Sequence, residues 1–282
     1  MRTIHDLSEN FSDGLLFPKG TSAERGNPEA GYFRYNTETK GIEVYDGTSW
    51  SSMDNTPSYV TDGLVLNLDA GNLNSYGGSG ATWSDLSQEG NDGTINGATY
   101  DSNGHFTFNG SSSVVSLDST PFKFTESFSV STWVKVNSFA GSYNRVIDMS
   151  YYPSSNGAGW ALTQYYNTST IEFRLDDVAA AASIATNTLT LSTWYNIVGV
   201  YNSVSNLGKI YVNGLEVDSS STSGVLDYTG VNNLRIGATT ENNSSDTRFF
   251  NGDVSKVQIY NKALSSDEIT QNFNASKARF GL

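Results

Sequence analysis

Residues 193–217 constrain the fold of this chain most, because they hold strand-like runs joined by a tight turn. The run 194–201 is aromatic and β-branched, and after a polar break the runs 209–212 and 215–217 flank the dipeptide Asn213-Gly214. Asn-Gly between such runs is the strongest short-range hairpin signal, since a type I′ turn needs positive φ at both central residues. The stretch therefore predicts a three-stranded antiparallel meander.

Alternation along the meander predicts which side chains are buried. Ile210 and Val212 fall on one face, which is predicted to lie in the core. Lys209 and Tyr211 fall on the other face, which is predicted to be in solvent. Trp194, which opens the first strand, is predicted to face the core beside Ile210 and Val212.

The rest of the chain from residue 59 onward shows many more short strand patterns. In the run 128–136, alternate residues from Phe128 to Val136 point one way and Trp133 points the other way. The period changes only near the C-terminus, where Ser265 and Glu268 match a capping box and predict one short helix over 266–275. We therefore predict an all-β fold, a two-sheet antiparallel sandwich with one short C-terminal helix.

Composition excludes several classes of partner. The net charge of −13 argues against nucleic acid and against an anionic membrane surface. The chain has no cysteine, so a disulfide scaffold and a thiolate metal site are excluded. Its first ten residues lack the apolar segment of a secretory signal, and no apolar run reaches membrane-spanning length. We therefore expect synthesis in a cytoplasm without a signal peptide, and no membrane insertion.

The segment 20–50 is predicted to form a small β-meander of its own, with strands at 32–36 and 42–45. It is heavily apolar for its size, and such a small unit cannot bury two apolar faces alone. We therefore expect it to make the main contact with other copies of the chain or with a larger particle. The residues expected at this assembly interface are Tyr32, Phe33, Tyr35, Ile42, Val44, Tyr45 and Trp50.

This segment resembles a short module of structural proteins in tailed bacteriophages, often found in fibres and appendages. The resemblance covers about a tenth of the chain and says nothing about catalysis. The matching residues are Gly20, Thr21, Ala23, Arg25, Gly31, Arg34, Tyr35, Asn36, Thr37, Thr39, Glu43, Tyr45, Gly47, Thr48 and Trp50. We divide the chain into a virion-attachment and oligomerisation module at 1–50, a polar linker at 51–58 and a second domain at 59–282.

The second domain resembles the laminin-G-like, concanavalin-A-like jelly roll. The resemblance lies in an ordered series of motifs at 85–94, 106–110, 128–135, 189–201, 209–214 and 250–269. Proteins with this fold include lectins, pentraxin-like binders, glycan-binding modules and some glycosidases. The resemblance therefore implies a fold but does not choose among these functions.

The acidic residues and histidines do not favour an enzyme. Glycosidases with this fold resemble one another in a strand of alternating acids, which this sequence lacks. A retaining glycosidase needs two carboxylates facing each other across a cleft. The close acid pairs are Asp176-Asp177, Glu216 with Asp218, and Asp267-Glu268, which are predicted to lie in a loop, beside a hairpin and at a helix cap respectively. His5 and His105, the two histidines, support no Ser-His-Asp set. No catalytic residue is predicted.

Calcium is the one cofactor that the resemblance suggests, because laminin-G-like and pentraxin-like proteins often bind Ca²⁺ at a loop rim. Its preferred ligands are carboxylate and carbonyl oxygens. The candidates are Asp85, Asn91 and Asp92. Asp85 and Asp92 also fit turns in which the side chain bonds to its own backbone, and this interpretation stays open beside the first.

A carbohydrate site is predicted in residues 141–167, which combine aromatic rings with amide and charged side chains. Aromatic faces stack on sugar rings, and planar polar groups bond to hydroxyls. The candidate glycan-binding residues are Asn144, Arg145, Asp148, Tyr151, Tyr152 and Trp160. For Trp160 the alternative is a place in the sandwich core, together with Ile147.

The two resemblances lead to one main hypothesis. The chain is expected to be a non-enzymatic bacteriophage virion structural protein, a capsid decoration or a fibre component, that displays a lectin-like jelly roll for adhesion at the virion surface. Its expected partners are other virion proteins and other copies of itself, as a trimer by resemblance to phage fibres. The alternatives are a tail-fibre lectin that binds a glycan or host receptor, and a glycan hydrolase.

Overall fold

The computed structural model describes residues 17–38, 41–52, 58–141, 143–151, 158–176, 181–222, 226–241 and 245–282. It divides into two compact units, Met1–Pro57 and Ser58–Leu282. Within the described ranges, no helix has the length and apolar character needed to cross a membrane.

The described part of the first unit, from residue 17 to residue 52 without 39 and 40, forms a four-stranded sheet with the strand order β1-β2-β3-β4. Its strands are β1 (Lys19–Gly20), β2 (Tyr32–Asn36), β3 (Gly41–Tyr45) and β4 (Trp50–Ser52). Strand β1 runs parallel to β2, and the other pairs are antiparallel. Register places Phe33 opposite Val44 and Arg34 opposite Glu43, so the apolar and the charged pairs lie on opposite faces of the sheet.

Glu43 is buried and is the central acceptor on the charged face of this unit. Arg25 Nη2 donates to Glu43 Oε2 over 2.6 Å, and Asn36 Nδ2 donates to the same oxygen over 3.0 Å. The buried Arg34 lies 3.3 Å from Glu43 Oε1 and donates to the Thr21 carbonyl over 2.9 Å. A hydrogen-bonded ion network therefore occupies the place where a larger domain would have an apolar core.

In the second unit, the described residues form two large sheets, a small ribbon and one α-helix. Its strands and helix are β5 (Leu64–Asp69), β6 (Thr82–Trp83), β7 (Gly93–Asn96), β8 (Thr99–Asp101), β9 (His105–Asn109), β10 (Val114–Asp118), β11 (Phe128–Val136), β12 (Arg145–Tyr151), β13 (Ala158–Gln164), β14 (Ile171–Asp176), β15 (Ala181–Ala185), β16 (Trp194–Asn202), β17 (Leu207–Val212), β18 (Leu215–Ser221), β19 (Asn233–Ile236), β20 (Thr239–Glu241), β21 (Ser245–Thr247), β22 (Asn251–Tyr260) and α1 (Ser266–Asn274).

Across sheet A the described strands follow the order β18-β17-β16-β11-β22-β9-β8, and β5 also pairs with β22. Across sheet B the order is β15-β14-β13-β12-β19-β10-β7-β6. Neighbouring strands pair antiparallel, and the facing sides form one apolar core that includes Phe128, Trp160 and Phe173. The predicted all-β, two-sheet sandwich with one short C-terminal helix is confirmed.

The predicted meander is present as strands β16, β17 and β18. Strand β17 pairs with β16 on one side and β18 on the other, and Val212 lies opposite Leu215 across the turn. Asn213 has φ +52° and Gly214 has φ +83°, as a type I′ turn requires. A Cβ on Gly214 would also lie 3.3 Å from the Phe273 ring.

Two predictions about the faces of this meander are wrong. Tyr211 is buried rather than in solvent, because it packs in a second apolar cluster with Leu264 and Ile269 on the outer side of sheet A. Trp194 is half-buried and lies on this outer side, where its ring is 5.0 Å from that of Phe280. Trp194 has the same parity along β16 as Val198, an outer residue, so alternation turns it away from the core.

The outer side of sheet A is covered by the C-terminal segment. The predicted capping box is present, since Ser265 Oγ accepts from the Glu268 amide over 3.3 Å and Glu268 Oε2 accepts from the Ser265 amide over 2.9 Å. Trp133 lies between two rings of this segment, with centroids 5.8 Å from Phe273 and 3.9 Å from Phe280. The predicted outward orientation of Trp133 is therefore confirmed.

Trp133→Ala should lower the free energy of unfolding by about 3–5 kcal/mol, because it removes a fully covered aromatic ring. Trp194→Ala should cost about half as much, because that ring is only half-buried. Urea unfolding of both variants, followed by circular dichroism, measures the difference. Equal losses would contradict this account of the two rings.

Glu43→Gln should unfold the first unit, because it removes the anion from a network that holds the buried Arg34. Hydrogen–deuterium exchange of the β2 and β3 amides measures this, with the exposed Glu29→Gln as a control. Hydrogen bonding from Arg25 lowers the pKa of Glu43. Its stabilisation is therefore complete above the ordinary value of 4.5 and is lost as the pH falls through the lower folded-state pKa. Slow exchange in Glu43→Gln would show that the network is dispensable.

Candidate functional site

The first unit has an open apolar face. Phe33 and Tyr35 on β2 are 41% and 36% exposed, and their cross-strand partners Val44 and Ile42 are half-buried. Cross-strand partners share a face of the sheet, so these four side chains form one continuous patch. We call Phe33, Tyr35, Ile42 and Val44 the open face.

The other three predicted interface residues lie on the opposite face. The Trp50 ring is 5.3 Å from that of Tyr45 and 6.2 Å from that of Tyr32, and its Nε1 donates to the Gly26 carbonyl over 3.1 Å. Tyr45 is 6% exposed, so its place at an assembly interface is wrong. Its ring is covered because strand pairing sets it beside Trp50, which the preceding loop holds in place.

Two of the predicted glycan-binding residues, Arg145 and Asp148, form a buried ion pair on the outer side of sheet B. Arg145 Nε lies 3.4 Å from Asp148 Oδ1, and both side chains are 2% exposed. Asp148 also accepts from Ser150 Oγ and Thr239 Oγ1, each over 2.6 Å. Burial raises the pKa of Asp148, and the nearby Arg145 opposes this rise. These contacts join β12 to β20, which is a structural role.

The remaining predicted glycan residues do not join this pair. Trp160 is fully buried in the core, where it packs on Phe128, so it offers no face to a sugar; its core alternative is the correct one. Asn144 is buried, and its amide donates to Ala140 O over 2.9 Å. Tyr151 packs against the core from the inner side of β12, and Tyr152 lies outside the described residues.

Three tyrosines that the prediction did not select come together within the same stretch. The Tyr143 ring is 5.3 Å from Tyr165 at 89° and 6.2 Å from Tyr166 at 38°. The Arg248 guanidinium lies 5.6 Å from the Tyr143 ring centroid. Tyr165 and Tyr166 are 37% and 52% exposed, and hydrogen bonding with Tyr143 raises the pKa of Tyr165. We call these four residues the tyrosine cluster.

The sequence signal for this cluster is the aromatic richness of residues 141–167, where a carbohydrate site is predicted. The choice of rings within that stretch failed, because side-chain direction depends on position along a strand. Trp160 lies inside β13, whereas Tyr165 and Tyr166 follow its last residue and are free of that alternation. Arg248 is distant in sequence, and no local pattern could have placed it beside Tyr143.

Of the calcium candidates, Asp85 and Asp92 accept hydrogen bonds from backbone amides. Asp85 Oδ1 accepts from the amides of Asn67 and Ser87, and Asp85 Oδ2 accepts from the amide of Asn91. Asp92 Oδ1 accepts from the Asp85 amide over 2.8 Å. The bond to Ser87, two residues on, fits the turn interpretation, whereas the other bonds join more distant backbone. Across the described residues, no group of three or more histidine, aspartate or glutamate side chains is placed to hold a metal ion.

Acidic residues from the close pairs, and the acid beside His105, bond to basic side chains. Asp176 accepts from Arg174 Nε over 3.1 Å, and Glu216 accepts from Lys209 Nζ over 2.8 Å. His105 lies 3.9 Å from Asp253, which is also 2.8 Å from Lys135 Nζ. Each of these carboxylates is balanced by a cation: Lys209–Glu216 and Lys135–Asp253 join neighbouring strands, whereas Arg174 and Asp176 lie on the same strand, β14.

Residues 109–270 match the family model of the concanavalin A-like lectin/glucanases superfamily. The chain belongs to that superfamily. Residues 2–94 match the model of a phage tail-like trimerisation region, which spans the first unit and the first strands of the second. Both resemblances seen in the sequence, to a phage module and to a laminin-G-like jelly roll, are thereby confirmed. None of the curated protein sequences matches this chain.

Many solved structures share the fold. A Trypanosoma rangeli sialidase in complex with sialic acid has 18% identity and a TM-score of 0.58, and the match covers 77% of this chain and 33% of the sialidase. The binding domain of botulinum neurotoxin DC in complex with rat synaptotagmin II has 16% identity and a TM-score of 0.55, with 77% and 52% covered. This chain thus spans about a third of the sialidase and about half of the toxin domain. At this identity the likeness concerns the fold alone.

Asp148→Ala should lower the free energy of unfolding by about 3–5 kcal/mol, because it removes one partner of a buried ion pair. The exposed Glu89→Ala serves as its control, with an expected change within about 0.5 kcal/mol. Thermal and urea unfolding of the two variants measure this difference. If the Asp148→Ala protein had normal stability, the structural role of Asp148 would be wrong and Asp148 would again be a candidate for ligand binding.

Proposed function

We propose that the chain is a trimeric structural protein of a phage particle, whose first unit assembles and whose jelly roll is displayed for adhesion. The trimerisation-region match and the superfamily membership support these two parts. Within the particle the chain is either a capsid decoration or part of a fibre or appendage. Electron microscopy of intact particles distinguishes these two locations. The other virion proteins are proposed as partners of the first unit, and the virion surface is the proposed location.

The observation that carries this proposal is the open face of the first unit. Phe33, Tyr35, Ile42 and Val44 form an apolar patch on a sheet whose other face carries the Glu43 ion network and the packed rings of Tyr45 and Trp50. Water contact with such a patch is unfavourable, and burial against identical copies removes it. Closed rotational symmetry is the usual arrangement of identical chains, and a trimer agrees with the family match.

A second candidate function is a lectin that binds a glycan or a host receptor, and the exposed tyrosine cluster favours it. A glycan array read with Ca²⁺ and with a chelator tests this function and its dependence on calcium. A glycan hydrolase is the third candidate, because the superfamily name includes glucanases. Release of reducing ends from a bound polysaccharide would favour it over a binding protein.

Phe33→Ser with Tyr35→Ser should convert the trimer to monomers, because two polar side chains replace the most exposed rings of the open face. Light scattering coupled to size-exclusion chromatography measures the oligomeric state. Tyr165→Ser with Tyr166→Ser is the matched control, since it removes two exposed rings from the jelly roll instead. We expect that control to stay trimeric.

The proposed division at 51–58 gives a second form of the same test. Residues 59–282 alone should fold cooperatively and be monomeric, since the core strands and the helix all lie downstream of that division. A monomeric wild-type chain, or a truncated chain that is still trimeric, would overturn assembly through the first unit.

A further inference from the structure

We propose that the tyrosine cluster is a carbohydrate-binding site for neutral saccharides that expose the flat face of a pyranose ring. This inference deepens the proposed function, because it rests on display of the jelly roll for adhesion. It names four residues, Tyr143, Tyr165, Tyr166 and Arg248, of which the last is more than 80 positions from the others in the chain.

Exposure is the first argument. Tyr165 and Tyr166 are adjacent in sequence, and both keep more than a third of their surface in water. The aromatic residues of the core, such as Phe128 and Trp160, are fully buried, so these two rings contribute nothing to it. Amphipathic rings in such a place suit a wet ligand site, because the ring face is apolar and the hydroxyl keeps its water or exchanges it for a sugar hydroxyl.

The geometry of the rings is the second argument. Tyr143 and Tyr165 stand at 89° to each other, so one edge rests on the other's face and each ring limits the movement of its neighbour. Arg248 lies 5.6 Å from the Tyr143 centroid, at cation–π distance. Rings that are held before binding lose little freedom when a sugar stacks on them. The cluster is therefore pre-organised.

The backbone beneath the cluster is the third argument. Tyr143 has φ +56°, an unfavourable conformation for a bulky side chain, and such strain concentrates at functional sites. The loop that holds Tyr143 is braced, since Asn144 Nδ2 donates to Gln164 Oε1 over 2.8 Å and Gln164 Nε2 donates to Phe139 O over 2.6 Å. A Cβ on Gly141 would lie 2.9 Å from the Asn144 amide, so glycine is required there.

Charge and size choose the class of ligand. The whole chain carries −13, and near Tyr165 the charge of Glu172 offsets that of Arg248, while Arg174 is already paired with Asp176. A polyanionic saccharide is therefore disfavoured. A stable protein partner needs about 800 Å² on each side. Three rings followed by the polar turn residues Asn167 and Thr168 suit a single sugar ring or a short saccharide better.

The test uses the full chain on a glycan array with neutral and sialylated saccharides, followed by calorimetric titration of the best neutral ligand. Tyr165→Ala with Tyr166→Ala should weaken binding more than about tenfold, because both stacking faces are lost. Tyr165→Phe with Tyr166→Phe should keep most of the affinity, since the faces remain. Val204→Ala with Leu215→Ala, two exposed apolar side chains elsewhere on the jelly roll, should bind like wild type.

Three results would overturn the inference: no binding of any neutral saccharide, binding of sialylated saccharides alone, or full affinity in the double alanine variant. Light scattering on the same samples keeps this inference separate from the assembly proposal. A trimer that binds no saccharide refutes the site and leaves assembly standing. A monomer that binds saccharide through the tyrosines supports the site and refutes assembly.

Discussion

Strand β22 has to bury both of its faces, and the rest of the jelly roll depends on that constraint. It pairs with β11, β9 and β5, so it joins the largest number of neighbours in sheet A. Its inner residues, including Val257, lie in the core. Its outer residue Lys256 is buried beneath the Tyr59 ring at 4.5 Å and lies 3.8 Å from Asp69. Burial lowers the pKa of Lys256, and Asp69 opposes this effect while also holding Arg279 of the C-terminal segment.

The first unit is too small for a large apolar core, and an ion network stabilises it instead. Its motif residues Arg25, Arg34 and Glu43 form one ion network, which explains why the phage-like pattern combines charged and aromatic positions. The polar groups of the network bond to each other on one face of the sheet, which they share with the rings of Tyr32, Tyr45 and Trp50. The open face lies on the opposite side of the sheet, where other copies of the chain can cover it. The same division of residues therefore serves both folding and the proposed assembly.

In the jelly roll, composition predicts the stretch that carries exposed rings but not which residues are exposed. Richness in aromatic and amide groups marked residues 141–167, and the exposed rings lie there. The prediction chose Trp160, Arg145 and Asp148, which strand packing has placed in the core and in a buried ion pair. Large rings and charged groups are typical of binding sites and also of well-packed sheets. Composition alone does not separate the two, because burial depends on strand register and on what covers each face.

Local patterns by themselves determined the hairpin at Asn213-Gly214, the capped helix after Ser265 and the all-β class, because each depends on neighbours within a few residues. They also determined that residues 20–50 carry more apolar surface than they can bury. Tertiary structure alone decided that Trp194 faces the C-terminal segment, and it brought Arg248 beside Tyr143. The reason is physical: alternation assigns a side chain to one of two faces, but only the packing of distant segments decides whether that face meets core, helix or water.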